Sequence, residues 1–418
     1  MEDRTAVEAS NDQRGECPHL RQLSLDPAPE QPLDDPPYFS ELRATCPISQ
    51  VDLGGGTTSW LATRFDDVKA ILSDTRFSAN PMTPGFPVRG LPGSDHPMVA
   101  DSMIRQDPPL HTTLRRCVVK YFTPRAVEGY RDQVEAIVDD HLNALAEQSG
   151  PVDLVSQFAL AIPTTVITRM LGIPIEDAPR FFELTERQTT LSLSKEEMYR
   201  NVEEFRALGL EYAALKEANP SDDLLSNIIR EQYEVGGITR DQLAALITIL
   251  IIGGHDTTAG MIGLSIFTLL KRPDQLALLL SGERRWDIAI EELLRVHSVA
   301  RMGPRRAATE DVTIGEHTFR QGEGVVASIW SANHDESKYA RTTWEDFEIP
   351  TEKPQHLAFS FGQHQCVGQN LARMELMVAL PRIFARFPDM RLTDPEVSHL
   401  SYRDDRAFFS LKELNVTL

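Results

Sequence analysis

Along the chain, apolar positions recur at helical spacing from about residue 110 to 295, which predicts a mainly α protein with a minor β region. Breaks near Gly150-Pro151, Gly172 to Pro174, Pro220 and Gly236-Gly237 are where helices are expected to end. Ahead of that block, Ile48 to Val51 and Trp60 to Thr63 read as short strands joined through Gly54-Gly55-Gly56. Phe65 to Leu72 reads as a helix with Asp66 and Asp67 in its first turn, where acids suit the helix dipole. Behind it come short strands within 304–329, the loop Phe359 to Gly368, a helix to about Phe387 and a strand pair near 400–417. Residues 80–104 are rich in proline and glycine and long for a connection, so they are expected to face a substrate. With no repeat or convincing linker, the expected organisation is a flexible segment over 1–37 and one domain over 38–418.

Composition narrows the partners. The chain of 418 residues carries 62 acidic and 42 basic side chains, a formal charge of -20 that repels phosphate backbones, so no nucleic acid partner is expected. Cys17, Cys46, Cys117 and Cys366 form neither a close metal-binding pair nor a disulfide scaffold, which fits a reducing cytoplasm. The polar, acidic N-terminus has no signal-like apolar core, and the longest apolar stretch, Leu246 to Gly254, is too short to span a bilayer. Cytoplasmic location, no membrane and a monomer are therefore expected, since no heptad or apolar interface stripe stands out.

Candidate chemistry centres on the run Phe359-Ser-Phe-Gly-Gln-His-Gln-Cys366-Val-Gly-Gln-Asn370. Gly362 and Gly368 permit a tight turn around Cys366, and the helix that follows offers unpaired N–H groups favouring its thiolate. One thiolate cannot build a structural zinc site but suffices for haem iron. A lone cysteine is more often an inert buried residue, and Cys17, Cys46 and Cys117 are read so. Gly253, Asp256 and Thr257 stand at i, i+3 and i+4 on one helical face. A Thr hydroxyl both donates and accepts, so Thr257 suits holding a ligand and Asp256 gating a proton relay, although an Asp-Thr pair after two glycines also suits a kink or cap. His255 between them is expected to face either a groove or a structural partner. Glu292 and Arg295, one turn apart, suit an internal ion pair, and His111 with Arg115 at i and i+4 suit a carboxylate.

Taken in order, these motifs resemble the cytochrome P450 family from about residue 38 to the end. Gly253-Gly254-His255-Asp256-Thr257-Thr258 resembles its oxygen-activating motif, Glu292-Leu-Leu-Arg295 its Glu-x-x-Arg pair and Asp107 to Arg115 its propionate-binding helix. Arg306-Ala-Ala-Thr-Glu-Asp311 and Ser331-Ala-Asn333 extend the match. The resemblance implies the P450 fold, with haem b held between the long central helix and the cysteine-loop helix. It implies Cys366 as axial ligand, and His111, Arg115, Arg306 and His364 around the propionates. Asp256 and Thr257 would serve catalysis, Gly253 and Gly254 an oxygen groove, and Glu292 and Arg295 would brace the core. By family position the pocket would draw on Met98, Met103, Leu191, Leu193, Ile249, Val299, Met302, Phe408 and Phe409. The implied activity is oxygen insertion into a mostly apolar small molecule, a secondary-metabolite scaffold by likeness to actinobacterial members, with electrons from a separate ferredoxin and reductase. Arg116, Lys120 and Arg373 are expected to form the donor face. Alternatives are oxidative C–C or C–N coupling without oxygen insertion, and a non-catalytic haem carrier or sensor. Two departures stand out: Ser360 replaces the usual glycine, a change expected to be tolerated at negative φ, and Thr351 stands where the family commonly has an arginine, with Arg341 as the nearby substitute.

Overall fold

The element around which the others are arranged is a 32-residue helix, Arg240–Lys271. Thr239 starts it with a capping box: its hydroxyl accepts from the Gln242 N–H at 3.2 Å while Gln242 Oε1 accepts from the Thr239 N–H at 3.0 Å. Its sequence is apolar on nearly every side, and such a helix is stable only when surrounded. Helices Ala161–Leu171, Lys195–Ala218 and Gln369–Arg386 supply that surround. By length and composition Arg240–Lys271 could cross a membrane, yet most of its apolar stretch is buried inside the protein. Gly172, at φ +71°, closes Ala161–Leu171 in the left-handed conformation, as the Gly172 to Pro174 break predicts.

This computed structural model describes residues 21–25, 31–54, 57–87, 101–403 and 406–418. The fold is mostly helical with a minor strand region, as the periodicity predicts. Its larger sheet runs in the order Arg21–Gln22, Ile48–Asp52, Thr58–Ala62, Gly324–Ala327, Arg305–Ala308, Phe77–Ser78. Ile48–Asp52 and Thr58–Ala62 pair antiparallel in the register Ile48 to Ala62, and Thr58–Ala62 runs parallel to Gly324–Ala327. A smaller sheet brings Asn415–Thr417 between Arg391–Leu392 and Val152–Asp153, while Val312–Ile314 and His317–Phe319 form a hairpin. The strand pair expected near 400–417 is thus only half found. Residues 400–403 and 406–411 form no strand, only a Tyr402–Leu411 bridge, and the Phe409 N–H donates to the Val299 carbonyl at 2.8 Å.

The expectation of a flexible segment over 1–37 fails for the described residues 21–22 and 31–37, while 1–20 and 26–30 lie outside the described residues. Residues 21–22 add a parallel strand to Val51-Asp52, and residues 31–37 are built in: Leu33 is wholly buried, and Arg301 donates to the Pro32 and Leu33 carbonyls. Cys46 is disulfide-bonded, against the expectation of free thiols, whereas Cys117 and Cys366 are free. Within 80–104, residues 80–87 are irregular and Met103–Arg105 forms a 3₁₀ turn that packs against the central helix; residues 88–100 lie outside the described residues.

Candidate functional site

The loop before helix Gln369–Arg386 is shaped by its own backbone. The Cys366 N–H donates to the Phe359 carbonyl at 2.9 Å and the Gln365 N–H to the Gly362 carbonyl at 3.0 Å. Gly362 is required at φ +72°, where a Cβ would lie 2.2 Å from the Leu72 carbonyl oxygen. Ser360 corrects the expectation for that position: its φ is +61°, so a side chain occupies left-handed backbone, and its hydroxyl is buried without a partner. Cys366 is accessible although protein surrounds it closely, which is how a side chain facing an internal space behaves. Burial pushes its thiol up, against the N–H groups of Gly368 and Gln369 and the charges of Arg115 and Arg373. The helix start therefore favours the thiolate as expected, but burial outweighs it; a bound metal would reverse that balance.

Beside the loop, the His111 and His364 rings stand 4.2 Å apart, and both Nε2 atoms are buried without a hydrogen-bond partner. Burial and the cations Arg306 and Arg115 push His364 down to about 2, and burial lowers His111. Arg306 is buried with its Nη1 on the Arg305 carbonyl at 2.8 Å and is pushed down to about 10 by desolvation, with Asp107 opposing. Arg115 donates to the Gln365 carbonyl at 2.7 Å. These four residues lie together: two imidazoles and two guanidiniums converge short of anionic partners, an arrangement whose burial cost carboxylates would offset.

On the central helix, the glycine pair divides. A Cβ at Gly253 would meet nothing within 4 Å, whereas one at Gly254 would lie 2.8 Å from Ile167 Cγ1. Gly254 therefore serves close approach to helix Ala161–Leu171, which corrects its assignment to an oxygen groove. Ile249, Ile252, Gly253 and Thr257, spaced as one helical face, stay at least partly open on a mostly buried helix. Thr257 Oγ1 donates to the Gly253 carbonyl at 3.0 Å. Asp256 is buried and, with His255, lines a cavity on the side of helix Ala178–Thr189. His255 Nδ1 bonds the Ile251 carbonyl at 2.8 Å and its ring meets Phe182 edge-on at 4.9 Å, so it faces both a groove and structural partners.

Glu292 and Arg295 pair inside the protein, Nη2 to Oε1 at 2.6 Å and Nε to Oε2 at 2.9 Å. Arg295 also donates to the Asn333 carbonyl at 2.6 Å and the Arg341 carbonyl at 2.9 Å, beneath the Tyr339 ring at 4.4 Å. Arg341 thus contributes its backbone rather than its guanidinium, which pairs with Glu348, and Thr351 is exposed. The sequence reading missed Glu291. It accepts from Arg373 Nε at 2.7 Å and pairs with His356 Nε2 at 2.8 Å, and these contacts hold it at about 2 against burial. Arg373 lies over the Phe359 ring at 4.5 Å, so Glu291 clamps the cysteine loop to helix Trp286–His297. Two successive buried glutamates were the available signal, masked by the ordinary solvated look of Glu-Glu. Of the expected donor face, Arg373 is accordingly pinned, Lys120 is exposed but paired with Glu231, and Arg116 is exposed.

Among the pocket residues, Leu191, Val299, Met302 and Phe408 are partly open. Met103 and Phe409 are only 3% and 5% exposed and belong to the main core, and Leu193 packs on Met198, Val202 and Ala245; packing already accounts for these three. Met98 lies outside the described residues.

Among the described residues no group of three His, Cys, Asp or Glu side chains could hold a bare ion. A planar iron group with two carboxylates fits what is present: a lone thiol on an internal space, orphaned His111 and His364 nitrogens, and buried Arg306. Comparison with known proteins agrees. Residues 286–400 match the family described as Cytochrome P450. Cytochrome P450-SU2 of Streptomyces griseolus is 36% identical over 389 residues, covering 93% of this chain and 95% of that protein. The crystal structure of CYP105P1 in complex with filipin I superposes with a TM-score of 0.85 at 34% identity, covering 95% of this chain and 98% of that one. Mycinamicin VIII C21 methyl hydroxylase MycCI from Micromonospora griseorubida, bound to mycinamicin VIII, has a TM-score of 0.84 at 34% identity, covering 92% and 96%.

Proposed function

The chain belongs to the cytochrome P450 family, and from that premise we propose that it inserts one oxygen atom of dioxygen into a mostly apolar secondary-metabolite scaffold, using Asp256 and Thr257 to manage protons. It is an oxidoreductase of the haem-thiolate monooxygenase class, and its cofactor is haem b. When bound, the haem supplies dioxygen activation, with a thiolate ligand favouring O–O cleavage. Cys366 is the residue that would hold the iron. His111, Arg115, Arg306 and His364 would take the propionates, so that desolvated cations and desolvated carboxylates offset one another. Gly253 leaves space beside the central helix. Thr257 Oγ1 now donates to the Gly253 carbonyl and, once turned, can donate to and accept from a ligand in that space. Asp256, two oxygens on a buried carboxyl beside it, would pass a proton to that hydroxyl.

The observation that carries this reading is the pairing of an accessible Cys366 with the orphaned His111–His364 cluster, in a fold shared over nearly the full chain with oxygenases. The secondary-metabolite class is supported by relatives whose crystal structures hold filipin I and mycinamicin VIII. Electrons would come from a separate ferredoxin and its reductase, received beside Arg116, and the protein would work as a cytoplasmic monomer. Residues 38–418 would make up the haem domain, together with the N-terminal residues built into it. Reduction under carbon monoxide should give the thiolate-type Soret band, and Cys366→His should abolish it. With labelled dioxygen, an accepted scaffold should gain one labelled atom; a product that loses hydrogens and gains no label would establish coupling instead.

A further inference from the structure

A cavity of about 210 Å³ lies against the central helix where Asp256 meets helix Ala178–Thr189, walled by Leu160, Phe182, Thr185, Glu186, His255, Asp256 and Arg403. A narrow crevice continues from it along Gly260 and Gly263, again bordered by Asp256 and Arg403. Its polar groups are fixed in place. Glu186 accepts from Arg403 Nη1 at 3.0 Å and Arg406 Nη2 at 3.3 Å, and Arg406 also donates to the Glu186 carbonyl at 2.7 Å. The Ala407 N–H donates to the Thr189 carbonyl at 2.8 Å, which holds Arg406 and Ala407 against the end of helix Ala178–Thr189. His255 is neutral in so buried a place, and a carbonyl can only accept, so its Nδ1 carries the proton given to Ile251. Its Nε2 is then an acceptor on the cavity wall beside Asp256. A space this size lined by five polar side chains has the room and the hydrogen-bonding partners that ordered water requires.

We infer that this cavity is the proton supply of the oxygen site: solvent protons enter at the Glu186–Arg403 ion pair and cross water ordered by His255 Nε2 to reach the Asp256 carboxylate. This rests on the relay proposed for Asp256 and Thr257 and adds its source. Glu186 and His255 are positioning residues here, since neither touches the reacting atoms. Protons pass one at a time from water to water, and Asp256 returns to its starting state after each transfer to Thr257. The Arg403 and Arg406 guanidiniums hold Glu186 at the cavity wall, half-exposed and ready to accept a proton from bulk water.

The test uses the haem-loaded enzyme with Glu186→Gln, which keeps an acceptor for both arginines, and with Asp256→Asn. Dioxygen consumption under excess surrogate ferredoxin and reductase is measured in H₂O and D₂O, beside phenol oxidation driven by hydrogen peroxide, which brings its own protons. Glu186→Gln should slow dioxygen consumption about five-fold and at least double the H₂O/D₂O rate ratio. The peroxide-driven rate, melting temperature and carbon monoxide spectrum should hold. A crystal structure of the holoenzyme should show waters running from Glu186 to Asp256. A dry cavity, or Glu186→Gln at the wild-type rate while Asp256→Asn is slow, would overturn this route and leave the relay standing. Wild-type rates in both variants would overturn the relay itself.

Discussion

Ser360 is the residue whose strain is most directly measurable. A side chain in left-handed backbone costs roughly 1–2 kcal/mol, and its buried hydroxyl adds an unmet hydrogen bond. Glycine gives back part of this through its freer unfolded chain, so Ser360→Gly should stabilise the protein by about 1 kcal/mol, read as a raised melting temperature. An unchanged or lower melting temperature would show that the loop relieves the strain by other means. The sequence located Ser360 as a departure but not its sign of φ, because φ is set by the Leu357 carbonyl that its N–H meets at 2.7 Å and by the turn into Gly362. The same holds for Cys366: motif and spacing pick it out, yet only the packed structure shows burial outweighing the N–H groups that favour its thiolate.

At the scale of one helix, adjacent glycines that look alike in sequence do different things. Gly254→Ala would drive a Cβ to 2.8 Å from Ile167, which is itself buried, and should destabilise by about 1–3 kcal/mol through overpacking. Gly253→Ala meets open space and should leave stability level or raise it by up to about 1 kcal/mol through helix propensity, while narrowing the space beside Thr257 and lowering turnover. Denaturant midpoints separate the pair; equal losses from both would contradict the division drawn here. Periodicity alone placed both glycines on a long buried helix correctly. It could not tell which one faces helix Ala161–Leu171, because that depends on where a helix some ninety residues earlier in the chain comes to rest.

For the whole molecule, the N-terminal strap links distant parts of the chain and makes stability depend on pH. Asp34 Oδ1 accepts from the Trp344 N–H at 2.8 Å while Oδ2 is unpaired, and burial pushes its carboxyl from 3.8 up to about 7. The folded chain thus holds a proton that the unfolded chain releases between these values, so stability falls as pH rises from about 4 to 7 and stays reduced above. Glu291 and Glu336, held at about 2, act in the opposite sense and at lower pH: their contribution is present above 4.5 and fades as pH falls toward 2. Asp34→Asn keeps the acceptor for Trp344 and should be more stable than wild type at pH 8 by at least about 1 kcal/mol, the difference vanishing near pH 4. A constant offset across pH 4–8 would exclude Asp34 as the source. By itself the sequence determined the mainly helical fold, the long central helix, the ordered motifs and the one cysteine those motifs single out, since these rest on local periodicity and on residue chemistry at short spacing. Tertiary structure alone decided that residues 21–22 and 31–37 belong to the fold, that Arg341 serves Arg295 through its carbonyl, that Glu291 clamps the cysteine loop and that Asp256 borders a cavity with Glu186. Each of these joins residues tens to hundreds of positions apart, and such meetings are settled by how whole elements pack, not by what any one stretch of sequence prefers.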